Sequence, residues 1–104
     1  MKDLLDTVRR RMTGRGQPAT PDPDPFRTLA LQARLTRLVG EMAALDRDPS
    51  PRFARAHHAR AACRAYDQTL AEACEVAGLP VPTGSGPESR LLAEAGLLQA
   101  GWTW

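Results

Sequence analysis

Between residues 31 and 45 the large apolar side chains fall at Leu31, Leu35, Leu38, Met42 and Leu45, alternately four and three apart. Apolar positions so spaced line one stripe of an α-helix and give it a buried face. Leu31, Leu38 and Leu45 recur every seven residues, with Leu35 and Met42 between them. This is a heptad seam of the kind that pairs helices. A second series follows: Ala56, Cys63, Leu70 and Ala77 recur every seven, interleaved with Ala59, Tyr66 and Ala73. It too is helical in period, but its residues are mostly small. Bulky side chains on one helix and small ones on the other allow close approach without clash.

Proline and glycine separate these stretches. "TGRGQPATPDPDP" (13–25) is excluded from helix and sheet interiors, because each proline removes a donor and fixes φ. It reads as an extended linker. "DRDPSP" (46–51) is short enough to be a turn between antiparallel helices, and "GLPVPTGSGP" (78–87) is a longer connection. The cap residues agree. Asp24 before Pro25 and Ser50 before Pro51 each place a capping side chain ahead of a first-turn proline. Gly78 followed by Pro80 suits a left-handed helix end. Ser85 and Glu88 have the spacing of a capping box, and Gly101 can end the last helix.

The pattern therefore predicts helices near 2–12, 25–46, 51–77 and 87–100. The fold class is all-α: a long antiparallel helical hairpin, coiled-coil-like, with a short C-terminal helix and a flexible N-terminal arm. Folding back about Pro49 sets the leucine seam on the alanine seam, with Leu38 opposite Ala59. Its arms are roughly 33 and 40 Å long. Residues 1–24 form a basic amphipathic arm and linker, and residues 25–104 the hairpin domain. The first arm has a second apolar side at Leu29, Ala33, Gly40, Ala43 and Ala44. Either the C-terminal helix covers it, through Leu91, Leu92, Ala95 and Leu98, or a second copy does, as a four-helix homodimer.

Charge adds a polarity. Residues 1–64 carry thirteen basic and seven acidic side chains, and residues 65–104 one basic and five acidic. The first part is thus near +6 and the second near −4. Arg9, Arg10 and Arg11 cluster near the start. Arg52, Arg55, Arg60 and Arg64 lie on the second arm. Arg52 and Arg55 fall at a helix N-terminus, where cations oppose the macrodipole, so helix stability does not account for them. They suit the chain's own acidic end, an acidic protein partner or nucleic-acid phosphates. Both tryptophans, Trp102 and Trp104, stand in the last three residues. They either fold back over the open end of the hairpin, near Phe26 and Cys74, or serve as an interface anchor.

Candidate chemistry is sparse. Cys63 and Cys74 share a helix face but are three turns, roughly 16 Å, apart. That is too far for a disulfide or a shared metal ion. His57 and His58 are adjacent and diverge by about 100°, whereas a helical zinc pair needs a spacing of three or four. No phosphate-binding glycine loop or nucleophile elbow is present. The expectation is a non-enzymatic protein with no cofactor or metal. It acts as a protein-interaction or regulatory module, as a monomer or homodimer. The alternative is a nucleic-acid-associated protein using the basic arm and the basic face of the second helix. No apolar run reaches the ~18 residues of a membrane span, and a cytoplasmic location is expected, with two free thiols.

Overall fold

The computed structural model describes residues 24–84 and 86–104. The helix expected near 2–12, the Arg9–Arg11 cluster, most of the linker, and Ser85 lie outside them. Among the described residues the chain forms three helices and no strand: α1 (Pro25–Leu45), α2 (Arg52–Ala77) and α3 (Pro87–Gln99).

Their ends follow capping chemistry, with two departures from expectation. Asp24 caps α1, its Oδ1 accepting from the Phe26 N–H at 3.0 Å. Ser50 does not cap α2. Its N–H donates instead to Asp48 Oδ1 at 2.9 Å, the cap position falls on Pro51, and no side chain satisfies the first-turn donors. The cap of α3 is Gly86, at φ 106°, again without a capping side chain. In both cases the proline at or beside the first turn removes one orphan donor, which lessens the need for a capping oxygen. At the far end of α2, Gly78 is left-handed at φ 74°. The Leu79 N–H reaches Cys74 O at 2.8 Å and the Gly78 N–H reaches Glu75 O at 3.2 Å, a Schellman ending.

α1 and α2 run antiparallel, but not in the register that folding about Pro49 implies. Met42 Sδ lies 3.9 Å from Cys63 Sγ, and Arg34 pairs with Glu72 at 3.2 Å. Leu38 is therefore level with residues near 67, not with Ala59. Beyond the last turn of α1 the first two turns of α2 run on alone, beside the 46–51 connection. Leu45 and Pro49 lie by His58 and Ala62 there. The slide has an energetic reason. It sets the three fully committed leucines, Leu31, Leu35 and Leu38, against the stretch from Tyr66 to Val76. Alanines 56 and 59 would have buried far less apolar area at about 25 cal/mol per Å².

The buried face of α2 differs correspondingly. Ala62, Tyr66, Thr69, Leu70, Ala73, Cys74 and Val76 are buried, whereas Ala56, Ala59, Cys63 and Ala77 of the expected seam are only half-buried. A single heptad seam serves one neighbour. α2 has two, because both α1 and α3 pack along it, whereas no Cα atoms of α1 and α3 lie within 8 Å of each other. Thr69, the one buried polar residue among those described, satisfies its hydroxyl on Ala65 O at 2.7 Å.

α3 does not cover the second side of α1. It packs on α2 through Ala93 and Leu97, and runs parallel to it: Arg90 bonds Asp67, while Ala93 and Gly96 border Cys74. Leu91, Leu92 and Leu98, through which one of the two expected arrangements covered that side, are 66%, 67% and 58% exposed. The nine-residue connection 78–86 decides this, since it carries the chain back along α2 and starts α3 beside that helix.

Candidate functional site

The last four residues do what α3 does not. Gly101 turns the chain at φ 93°, with Trp102 N–H on Leu97 O at 2.9 Å and Gly101 N–H on Leu98 O at 3.1 Å. This second Schellman ending puts Trp102 where an apolar residue closes the motif. Trp102 is 7% exposed and belongs to the core with Leu35, Leu70 and Leu97. The tail then crosses to α1, where the Thr103 N–H donates to Gln32 Oε1 at 3.1 Å. Trp104 Nε1 donates to the Tyr66 hydroxyl at 3.1 Å, and that hydroxyl donates to Glu94 Oε2 on α3. One short segment thus bonds all three helices. Of the two tail arrangements expected, the fold-back describes Trp102, whose indole has almost no surface left to offer. Trp104 is half-buried, and Phe26 stays 78% exposed, untouched by the tail's cover.

Burial, and then the hydrogen bond to Glu94, push the Tyr66 phenol up to about 12 from its usual value near 10. The sign follows directly. The unfolded chain releases this proton near pH 10 while the folded chain retains it, so the stability Tyr66 contributes is complete below about pH 10 and is lost as pH rises toward 12, on top of a loss of the same sign from the buried Cys74 thiol. Urea melts at pH 8, 10 and 11.5 are expected to show this loss, with Tyr66→Phe abolishing most of it. An unchanged slope in that variant would exclude Tyr66 as the source.

Beside this network Arg90 makes a forked pair with Asp67, at 2.7 and 3.1 Å. Both side chains are about one-third exposed, so the pair contributes on the order of 1 kcal/mol. The two charges flank a hollow of about 90 Å³ between α2 and the start of α3. A larger and more open hollow, of about 690 Å³, lies along the outer side of α2 between Arg60, Arg64 and Gly86. Burial raises the Cys74 thiol above its ordinary pKa, which disfavours the reactive thiolate. Cys63 and Cys74 are free, and no cluster of three metal-ligating side chains occurs among the described residues.

The four arginines of α2 do not share one face. Arg55 is half-buried and turned toward the 46–51 connection. Its Nε is buried with no hydrogen-bond partner among the described residues. Hydrogen bonds from Ser50 hold the Asp48 carboxyl there below its ordinary pKa, with smaller contributions from His58 and Arg55. Arg52 is exposed on the overhanging first turn of α2, about 100° round from the other two. Arg60 and Arg64 are exposed on the outer face, away from α1, and make no ion pair among the described residues. Two further residues fall on their stripe at helical spacing: Phe53, 79% exposed, and His57, also exposed. Phe53 is the member that charge counting misses. The spacing 53, 57, 60, 64 carries the signal in the sequence, but only the structure shows that no described neighbour covers it. No family model, curated protein or solved structure matches the chain.

Proposed function

We propose that the protein is a small non-enzymatic interaction or regulatory module that engages an acidic protein partner through the outer face of α2. The observation that carries this reading is the exposed stripe Phe53–His57–Arg60–Arg64, whose two guanidinium groups have no carboxylate among the described residues. Three acids of α2 and α3 are engaged elsewhere: Asp67 with Arg90, Glu72 with Arg34, Glu94 with Tyr66. An aromatic anchor flanked by unpaired arginines is the composition of an interface hot spot, and the charges steer an acidic partner toward it. In this reading the tail, with Trp102 and Trp104, acts indirectly, by holding the helix that presents the stripe. The cytoplasm suits its two free thiols, and no helix among the described residues is long and apolar enough to cross a membrane.

The second reading, nucleic acid, draws on the same stripe, since an aromatic ring aligned with arginines also stacks and neutralises a strand. It would recruit Arg9, Arg10 and Arg11 as well. One experiment separates the two. Binding of a labelled glutamate-rich peptide and of a labelled 20-base-pair duplex is measured at about 50 and about 200 mM salt. The full chain is compared with Arg60→Glu/Arg64→Glu and with a form lacking residues 1–15. The proposal expects peptide binding that weakens more than ~tenfold on charge reversal. Preference for the duplex, lost with residues 1–15, would replace it by the nucleic-acid reading. Binding of neither probe, or binding indifferent to charge reversal, would refute both.

A further inference from the structure

The outward side of α1 has a feature that the monomer does not explain. Gly40 sits in the interior of a regular helix, where glycine is destabilising relative to alanine. A Cβ added there would meet nothing within 4 Å. Nothing within the described chain requires the missing side chain. Gly40 belongs to a stripe with Phe26, Leu29, Ala33, Thr36 and Ala43, every member exposed and none charged. Phe26, Ala33 and Gly40 recur every seven residues, as do Leu29, Thr36 and Ala43.

We propose that this stripe is a homodimer interface in which α1 pairs antiparallel with α1 of a second copy about a two-fold axis between residues 34 and 35. The occupant is identified by self-complementarity. Large side chains occupy one end of the stripe and the smallest occupy the other. Reversing a copy about that axis sets Leu29 over the partner's Gly40, Phe26 over the partner's Ala43, and Ala33 against the partner's Thr36. A large residue then faces a small one at both ends, and the bare glycine admits the leucine. This is the isologous arrangement that two-fold symmetry demands.

The strip is about 26 Å long and one helix, ~10 Å, wide. That lies below the ~800 Å² per partner of a standard interface, so the dimer is expected to be weak and concentration-dependent.

The inference deepens the interaction reading by naming one partner, and it can be tested apart from it. Sedimentation equilibrium of the full 11.3 kDa chain is run from ~10 µM to ~1 mM, spanning weak affinities. The chain is compared with Leu29→Glu, Gly40→Leu and Leu92→Glu. The wild type is expected to approach twice the chain mass at the upper end. Leu29→Glu and Gly40→Leu are expected to weaken dimerisation more than ~tenfold while helicity is retained, because both positions are open in the monomer. Leu92→Glu, on the exposed face of α3, is expected to dimerise normally. A wild type monomeric throughout, or dimerisation lost in Leu92→Glu but kept in Leu29→Glu, would overturn the inference. Leu29→Glu leaves the acidic-peptide measurement untouched, and Arg60→Glu/Arg64→Glu leaves the mass untouched, so either idea can fail alone.

Discussion

Trp102→Ala is expected to lower stability by about 3–5 kcal/mol, the range for truncating a buried aromatic side chain. Trp102 is 7% exposed and stands in the core cluster with Leu31, Leu35, Leu70 and Leu97. No Cα atoms of α1 and α3 lie within 8 Å of each other, and Trp102 enters the core they share while Thr103 bonds Gln32 of α1. Against a typical total of about 5–15 kcal/mol, with a small domain toward the lower end, such a loss leaves the fold marginal. At about 4–8 °C per kcal/mol for a domain of this size, the midpoint should fall by more than ~12 °C. Thermal and urea unfolding followed by circular dichroism measure it. Trp104→Phe serves as the control. It keeps a ring beside Leu98 and Ala95 and removes only the donor to Tyr66, so it should cost about 1 kcal/mol. A Trp102→Ala loss no larger than that control would mean that the tail does not close the core.

Leu35→Ala should come next in size, at about 2–5 kcal/mol, because Leu35 is 0% exposed and lies at the middle of the apposed stretch. The informative comparison is Leu45→Ala. A heptad seam running the length of the hairpin makes Leu35 and Leu45 equivalent, since both are seam leucines. In the structure Leu45 is half-buried, at the level where α1 ends and the connection begins. Its loss should be about 1 kcal/mol, the fraction of a leucine's transfer free energy that partial burial provides. Equal losses at the two positions, measured by urea midpoints at constant slope, would restore the register centred on Pro49 and contradict the slide of α2 past α1.

The difference between these leucines marks where reading the chain alone stops. Apolar period and punctuation are local properties, enforced by backbone geometry within a few residues. The helices at 25–45, 52–77 and 87–99, the Asp24 cap, and the glycine endings at 78 and 101 are therefore legible in the letters. The stripe 53, 57, 60, 64 is equally periodic, yet its meaning is not. A periodic face becomes a seam or a free surface according to what lies against it. Arg55 illustrates the limit: it is one of four similar arginines in sequence and the only one of them folded against the turn. Ser50 and the small-residue seam fail for a related reason. Each is a good local solution that competed with an alternative, a proline-led first turn in one case and a larger apolar contact in the other.

The sequence by itself determined that residues 25–104 are mostly helical, where those three helices begin and end to within a residue, and that two of them fold back on each other. Hydrogen bonds to the fourth residue along and fixed proline φ angles act at short range, and short range is what a sequence displays. Only the tertiary structure decided how far α2 slides along α1, that α3 leaves Leu91, Leu92 and Leu98 exposed, and that a tail of four residues crosses from α3 to α1. Those outcomes depend on which arrangement buries the most apolar area over the whole chain at once. That is a sum over distant pairs, and no window of neighbouring residues contains it.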